Sequence, residues 1–241
     1  MKSGSATKKT AACACVIFLV VIGVVVATRR IVNLMPALVH GYRPRPVPAN
    51  PRLAQIAALD DLFAHYPLLT LIHIVPGLFF MILGPFQFSV SIRANHLWWH
   101  RLSGRIFVAC GLVIGISALV MSLGMPAIGG VIQATATTLF GSYFLFALSK
   151  ALWHIRHREV ALHREWMIRA FAIGLAVATI RPIIGLFFAT SPLTDLTPHE
   201  FFGIAFWIGF VLHVIVAESW IRWTKPETIV RPVQTETQAM S

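Results

Sequence analysis

The 241 residues read as an all-α, polytopic membrane helical bundle with about six transmembrane helices. Hydrophobic residues make up 57% of the chain and charged residues 12%, against about 45–50% and about 25% in soluble domains, so a soluble fold could not hide the apolar surface. The apolar residues fall into six stretches, each close to the ~20 residues that a helix needs to cross a bilayer. Strand-like alternation over about ten residues, the mark of an outer-membrane barrel, is missing from the sequence, which leaves helices as the way to satisfy the backbone in lipid. A four-helix core with two flanking helices is expected.

The first stretch, about 11 to 28, follows Lys8 and Lys9 and precedes Arg29-Arg30. Its apolar run is long for a secretory signal, and although Val25 and Ala27 resemble small cleavage-site residues, it reads as a retained anchor. Cys13 and Cys15 lie in it, and with Cys110 they form an odd set in apolar surroundings that supports neither a disulfide framework nor a Cys metal site. Pro44, Pro46, Pro48 and Pro51 favour extended polyproline geometry from His40 to Pro51, an outer linker rather than a domain. Asp60-Asp61 then reads as a helix start.

The second stretch covers about 67 to 90 and the third about 104 to 124. Gly124-Met125-Pro126 turns the chain into the fourth, about 127 to 152. The fifth covers about 166 to 190, Ser191 to Pro198 forms a loop, and the sixth covers about 200 to 223. The expected organisation is an anchor with its linker over 1–64, a five-span bundle over 65–225 and a polar tail over 226–241.

Basic residues orient the bundle. Lys2, Lys8, Lys9, Arg93, Arg101, Arg105, Lys150, Arg156, Arg158, Arg164, Arg169, Arg222, Lys225 and Arg231 fall on one side, whereas Arg29, Arg30, Arg43, Arg45 and Arg52 fall on the other. The positive-inside rule then puts both termini in the cytoplasm. The net charge of +11 is spread over interfacial loops. It fits anionic lipid headgroups as partners, not nucleic acid, for which neither a soluble basic face nor a recognition fold is present.

One pattern occurs twice: His100-Arg101-Leu102-Ser103-Gly104-Arg105 and His163-Arg164-Glu165-Trp166-Met167-Ile168-Arg169, each opening an apolar stretch. Gly111-Leu112 after the first copy corresponds to Gly174-Leu175 after the second. The repeat suggests two parallel helical hairpins related by an axis along the membrane normal, with spans one and six outside.

Ionisable groups within spans are costly and mark partners or cavities. His73 lies ~9 Å inside one end of its span and Arg181 ~13 Å inside the same end of another, so the two could meet. Arg181 precedes Pro182, where a helix irregularity is expected. Arg169 and Glu218 lie at similar depth near the opposite end, as a buried ion pair would require.

Imidazole is a common haem-iron ligand, and four-helix membrane bundles can hold haem between histidines on facing helices. His100 and His163 sit at equivalent depths and are the candidate ligands of a haem b. His73 and His213 differ in depth by ~11 Å and do not qualify as a pair. No metal site is assigned. His96 and His100 are one turn apart, but Trp98-Trp99 reads as an aromatic belt anchor. His154, Arg156, His157 and Arg158 read as a solvated loop. Arg101, Arg105 and Arg164 are candidate headgroup ligands. A phosphate-cradling glycine loop, Gly-x-Ser-x-Gly, His-Glu-x-x-His and Ser-x-x-Lys are missing from the sequence, and nine Asp and Glu give little material for paired-carboxylate catalysis.

Taken together, His73 in His-Ile-Val-Pro-Gly, Gly84-Pro85-Phe86-Gln87-Phe88, His100-Arg101-x-x-Gly104-Arg105, and His163-x-x-Trp166-Met167-Ile168-Arg169 with Arg181 and Glu218 resemble the bacterial predicted-membrane-protein family called domain of unknown function 2306. The resemblance covers roughly residues 65 to 223 and implies a multi-pass inner-membrane protein without an assigned reaction. A remoter similarity to two-haem b-type cytochromes lies in the helix count and the histidines. The chain departs from that pattern in having no second histidine at the depth of His73. Three functions are therefore carried forward: a haem-binding electron-transfer protein, a small-solute or proton-coupled transporter using His73, Arg181 and Glu218, and a non-catalytic assembly or lipid-binding protein. Membrane partner subunits or a quinone are the expected partners beyond the bilayer.

Overall fold

The computed structural model describes residues 2–44, 46–49, 51–194 and 196–225, and every regular element among them is a helix. The elements are α1 (Lys2–His40), α2 (Pro51–His65), α3 (Pro67–Phe88), α4 (Val90–Asn95), α5 (Leu97–Gly124), α6 (Gly130–Arg156), α7 (Val160–Thr194) and α8 (Pro198–Thr224). Six of them, α1, α3 and α5 to α8, are long and apolar enough to cross a membrane. The tail expected over 226–241 lies outside the described residues, as does Arg45.

Helices α3, α5, α6 and α7 form a four-cornered core in which α5 packs against α3 and α6, and α7 packs against α6, leaving α5 and α7 on opposite corners. One phenylalanine from each corner meets at the centre: Phe80, Phe107, Phe144 and Phe171, all buried. Phe80 stacks on Phe107 with centroids 4.1 Å apart and meets Phe144 edge-on at 5.6 Å. Gly111 and Gly174, the glycines that correspond in the repeated motif, both lie against the Phe80 ring. Gly84 lies against Phe171, where any Cβ would collide with the ring. Lipid offers no hydrophobic drive between helices, so close approach through such small residues is what lets their backbones pack.

The sixth span is not a flanking helix. In the apolar window of α8 44% of residues are buried, the highest share of the six, against 0% in α1. The reason is its inner face: Phe201, Phe202, Ala205 and Phe210 join the main core, and Phe210 stacks on Phe140 of α6 at 4.8 Å. Its start is fixed by a capping box, in which the Thr197 backbone N–H donates to Glu200 Oε2 at 2.9 Å, with Pro198 in the first turn. Only α1 has the character of an outer helix, resting on α3 and α7.

Two further expectations need correction. The linker expected up to residue 64 becomes helical from Pro51, which opens α2, consistent with the fixed φ of proline suiting a first helical turn, while 41–44 and 46–49 carry no regular element. Asp60-Asp61 lies near the end of α2, not at a helix start. Asp60 is buried because it accepts hydrogen bonds from Arg30, from Asn33 Nδ2 at 2.9 Å and from Arg29 at 3.4 Å, which ties α2 to the end of α1. Tyr42 Oη donates to Asp61 Oδ2 at 2.7 Å, and the carboxylate beside it raises the phenol above its ordinary value. The His-Arg pairs also lie inside helices, since α5 and α7 begin at Leu97 and Val160, several residues before the apolar stretches.

Candidate functional site

Two polar sites occupy opposite ends of the core. The first is built on the opening turns of α5 and α7. These corners are diagonal, so side chains directed inward from them converge across the bundle, and His100 and His163 lie within electrostatic reach of each other. His163 Nδ1 donates to the Ala151 carbonyl of α6 at 2.8 Å. A carbonyl can only accept, so this bond fixes the tautomer and leaves Nε2 with a free lone pair. His100 Nδ1 is buried and has no hydrogen-bond partner. A buried ring nitrogen left in this way is unusual enough to need a cause.

Guanidinium groups surround the two imidazoles. Arg93 of α4 lies within electrostatic reach of both His100 and Arg164, and it donates to the Gln87 carbonyl at 3.1 Å. Arg164 Nη2 donates to Thr224 Oγ1 at 2.9 Å and joins α7 to the end of α8, so it is less free to meet a headgroup than Arg101 and Arg105, which are exposed. Gln87 Nε2 donates to Ser103 Oγ at 2.7 Å, and the Ser103 hydroxyl donates in turn to the Trp99 carbonyl at 2.7 Å. This buried chain braces α3 against α5 beside His100. Reading the sequence missed Gln87, Ser103 and Arg93 as site residues; the available signal was a lone amide inside an otherwise apolar run. His154 is also not in a loop: it is buried in the last turn of α6 and pairs with Glu159.

The second site lies toward the other end, where His73 and Arg181 line one cavity of about 290 Å³. His73 Nδ1 is 3.0 Å from Ser117 Oγ. The Ser117 hydroxyl donates to the Val113 carbonyl at 2.7 Å, so His73 is the donor in that contact. Arg181 Nε is buried and unpartnered. Helix α7 continues through Pro182, whose missing N–H leaves the Ala178 carbonyl without its helical donor.

The remaining intramembrane polar groups tie helices together. Arg169 Nε donates to Glu218 Oε1 at 2.6 Å and Nη2 donates to Oε2 at 3.0 Å, a two-pronged pair between α7 and α8. Arg169 also lies 4.6 Å over the Trp166 ring. His213 of α8 is buried and shares a 2.7 Å hydrogen bond with Thr179 of α7. Glu218 therefore belongs with Arg169 and does not line the cavity of His73 and Arg181. Among the described residues no group of three or more His, Cys, Asp and Glu is placed to hold a metal ion.

An all-helical bundle with six membrane-length apolar helices and ionisable groups facing inward defines a polytopic membrane protein. The chain belongs to the family described as "Predicted membrane protein (DUF2306)", whose model matches residues 70–221, α3 to α8 almost in full. No curated protein and no solved structure matches it.

Proposed function

We propose that this is a b-type haem-binding electron-transfer protein of a bacterial inner membrane, with both termini cytoplasmic, in which His100 and His163 would hold the haem. The observation that carries the reading is the pair itself: two histidines in the first turns of diagonal core helices, one with a free Nε2 and the other with a buried, unpartnered ring nitrogen. The Ala151 carbonyl orients His163 and makes its Nε2 more basic, as partners of ligating histidines commonly do. Arg93 and Arg164 suit the anionic propionates of a haem. Haem would supply one-electron storage, with iron potential set by the two imidazoles and the dry aromatic core above them. Electron partners would be a quinone or a membrane subunit. Arg101 and Arg105, exposed at the same end, are assigned to anionic headgroups.

The test is a reduced-minus-oxidised absorption spectrum of the detergent-purified full chain, expressed with haem supplied. A Soret band that sharpens and shifts on reduction is expected. A spectrum holding only the aromatic band of the protein would overturn the proposal.

A further inference from the structure

The cavity at the opposite end carries a separate inference. Arg181 lies ~15 Å of helix inside the Ser191 end of its span. No Asp or Glu is among the residues lining the cavity. The other cation there, Arg30, is engaged by Asp60, and His73 is engaged by Ser117. A guanidinium at this depth without a carboxylate is costly, and ionisable residues kept inside membranes mark ligand or ion paths. Most of the remaining wall is apolar, with Phe63, Met81, Phe202, Phe206 and Phe210 lining it, and its other polar side chains, Ser122, Gln133 and Thr137, are each hydrogen-bonded within the protein. A cationic anchor in a largely apolar wall matches a ligand with an anionic head and an apolar body.

We propose that the cavity binds an amphiphile with a carboxylate or phosphate head on an apolar chain, with the head against the Arg181 guanidinium and the chain along the phenylalanines. The planar fork of arginine accommodates two oxygens of either head at once. Gly77 of α3 also lines the cavity. A Cβ at Gly77 would find its nearest neighbour, Ile114 Cγ2, at an ordinary 3.7 Å, so a larger side chain there can fill the cavity without displacing the backbone.

The experiment uses the full chain in nanodiscs of zwitterionic phosphatidylcholine and the fluorescence of dansyl-aminoundecanoic acid, with its methyl ester as the uncharged control. Saturable binding of the acid, at least ~10-fold tighter than the ester, is expected, since a hydrogen bond to a charged group contributes about that much. Arg181→Gln should abolish the preference for the acid, and Gly77→Leu should remove binding of both probes while leaving the thermal transition in place. Displacement by oleate alone identifies a free carboxylate as the ligand; displacement by phosphatidylglycerol identifies a membrane phospholipid. Equal binding of acid and ester to the wild type, retained acid binding in folded Gly77→Leu, or displacement by neither competitor would overturn the proposal. The readout is independent of haem, so it stands or falls separately from the His100–His163 reading.

Discussion

Arg169 and Glu218 allow the sharpest energetic prediction, because the two halves of the pair are not equivalent. Side-chain exposure is 16% for Arg169 and 33% for Glu218. A wholly buried pair loses about 3–5 kcal/mol when one partner is removed, whereas an exposed pair contributes about 0–1 kcal/mol. This pair falls between those limits. In Glu218→Gln the guanidinium keeps Glu165, 3.7 Å away, and its place over Trp166. The cost should be about 1 kcal/mol. In Arg169→Gln two carboxylates, Glu165 and Glu218, lose their shared cation; Lys225 pairs directly with Glu165 at 3.3 Å, while Glu218 keeps only the longer-range attraction of Arg222 and Lys225. The Trp166 contact goes too, which is about 0.5–1 kcal/mol. The expected cost is about 2–3 kcal/mol. At about 2–4 °C per kcal/mol for a chain of this size, Tm should fall about 2–4 °C in the first variant and about 4–12 °C in the second. Thermal unfolding in one detergent, followed by tryptophan fluorescence, measures both. A Glu218→Gln variant that is as destabilised as Arg169→Gln would refute the reasoning, as would purely additive losses in the double variant.

Three other perturbations test the packing and the contact of the α1–α2 connection with α2. Phe80→Ala removes the ring shared by the other three core phenylalanines and should cost about 3–5 kcal/mol, seen as a large drop in Tm. Gly84→Val places a β-branched side chain into the Phe171 ring and should lower the yield of folded, monodisperse protein in size-exclusion chromatography, whereas Gly185→Val, at a site with nothing within 4 Å of a Cβ, should not. Tyr42 has its folded pKa raised by Asp61, so the contact stabilises below the ordinary phenol value of 10.0 and is lost as pH rises through the raised one. The phenolate absorbance titration should therefore contain a component above 10 that disappears in Tyr42→Phe.

Much of the fold was legible because lipid imposes a coarse rule: six apolar runs of sufficient length had to be helices. The ion pair was legible for the same reason, since counting helical rise puts Arg169 and Glu218 at similar depth on two spans. The meeting of His73 with Arg181 at one cavity also followed from counting helical rise. What failed was anything that depends on which face of a helix points inward. Burial of α8 is decided by Phe201, Phe202, Ala205 and Phe210 within a stretch that is apolar all round, so its sequence carries little periodic signal. Helix α2 was hidden because the prolines before it announce extended chain, while Pro51 itself suits a helical first turn. Gln87, Ser103 and Arg93 gain meaning only when α3, α4 and α5 are brought together around His100.

The haem assignment is tested most directly by haem stoichiometry, measured as the pyridine haemochrome of purified wild type, His100→Ala, His163→Ala and His73→Ala. Near one haem per chain in wild type and His73→Ala, with loss in each of the other two, is the predicted result. Full haem retained in His100→Ala and His163→Ala, or none in the wild type, would contradict it.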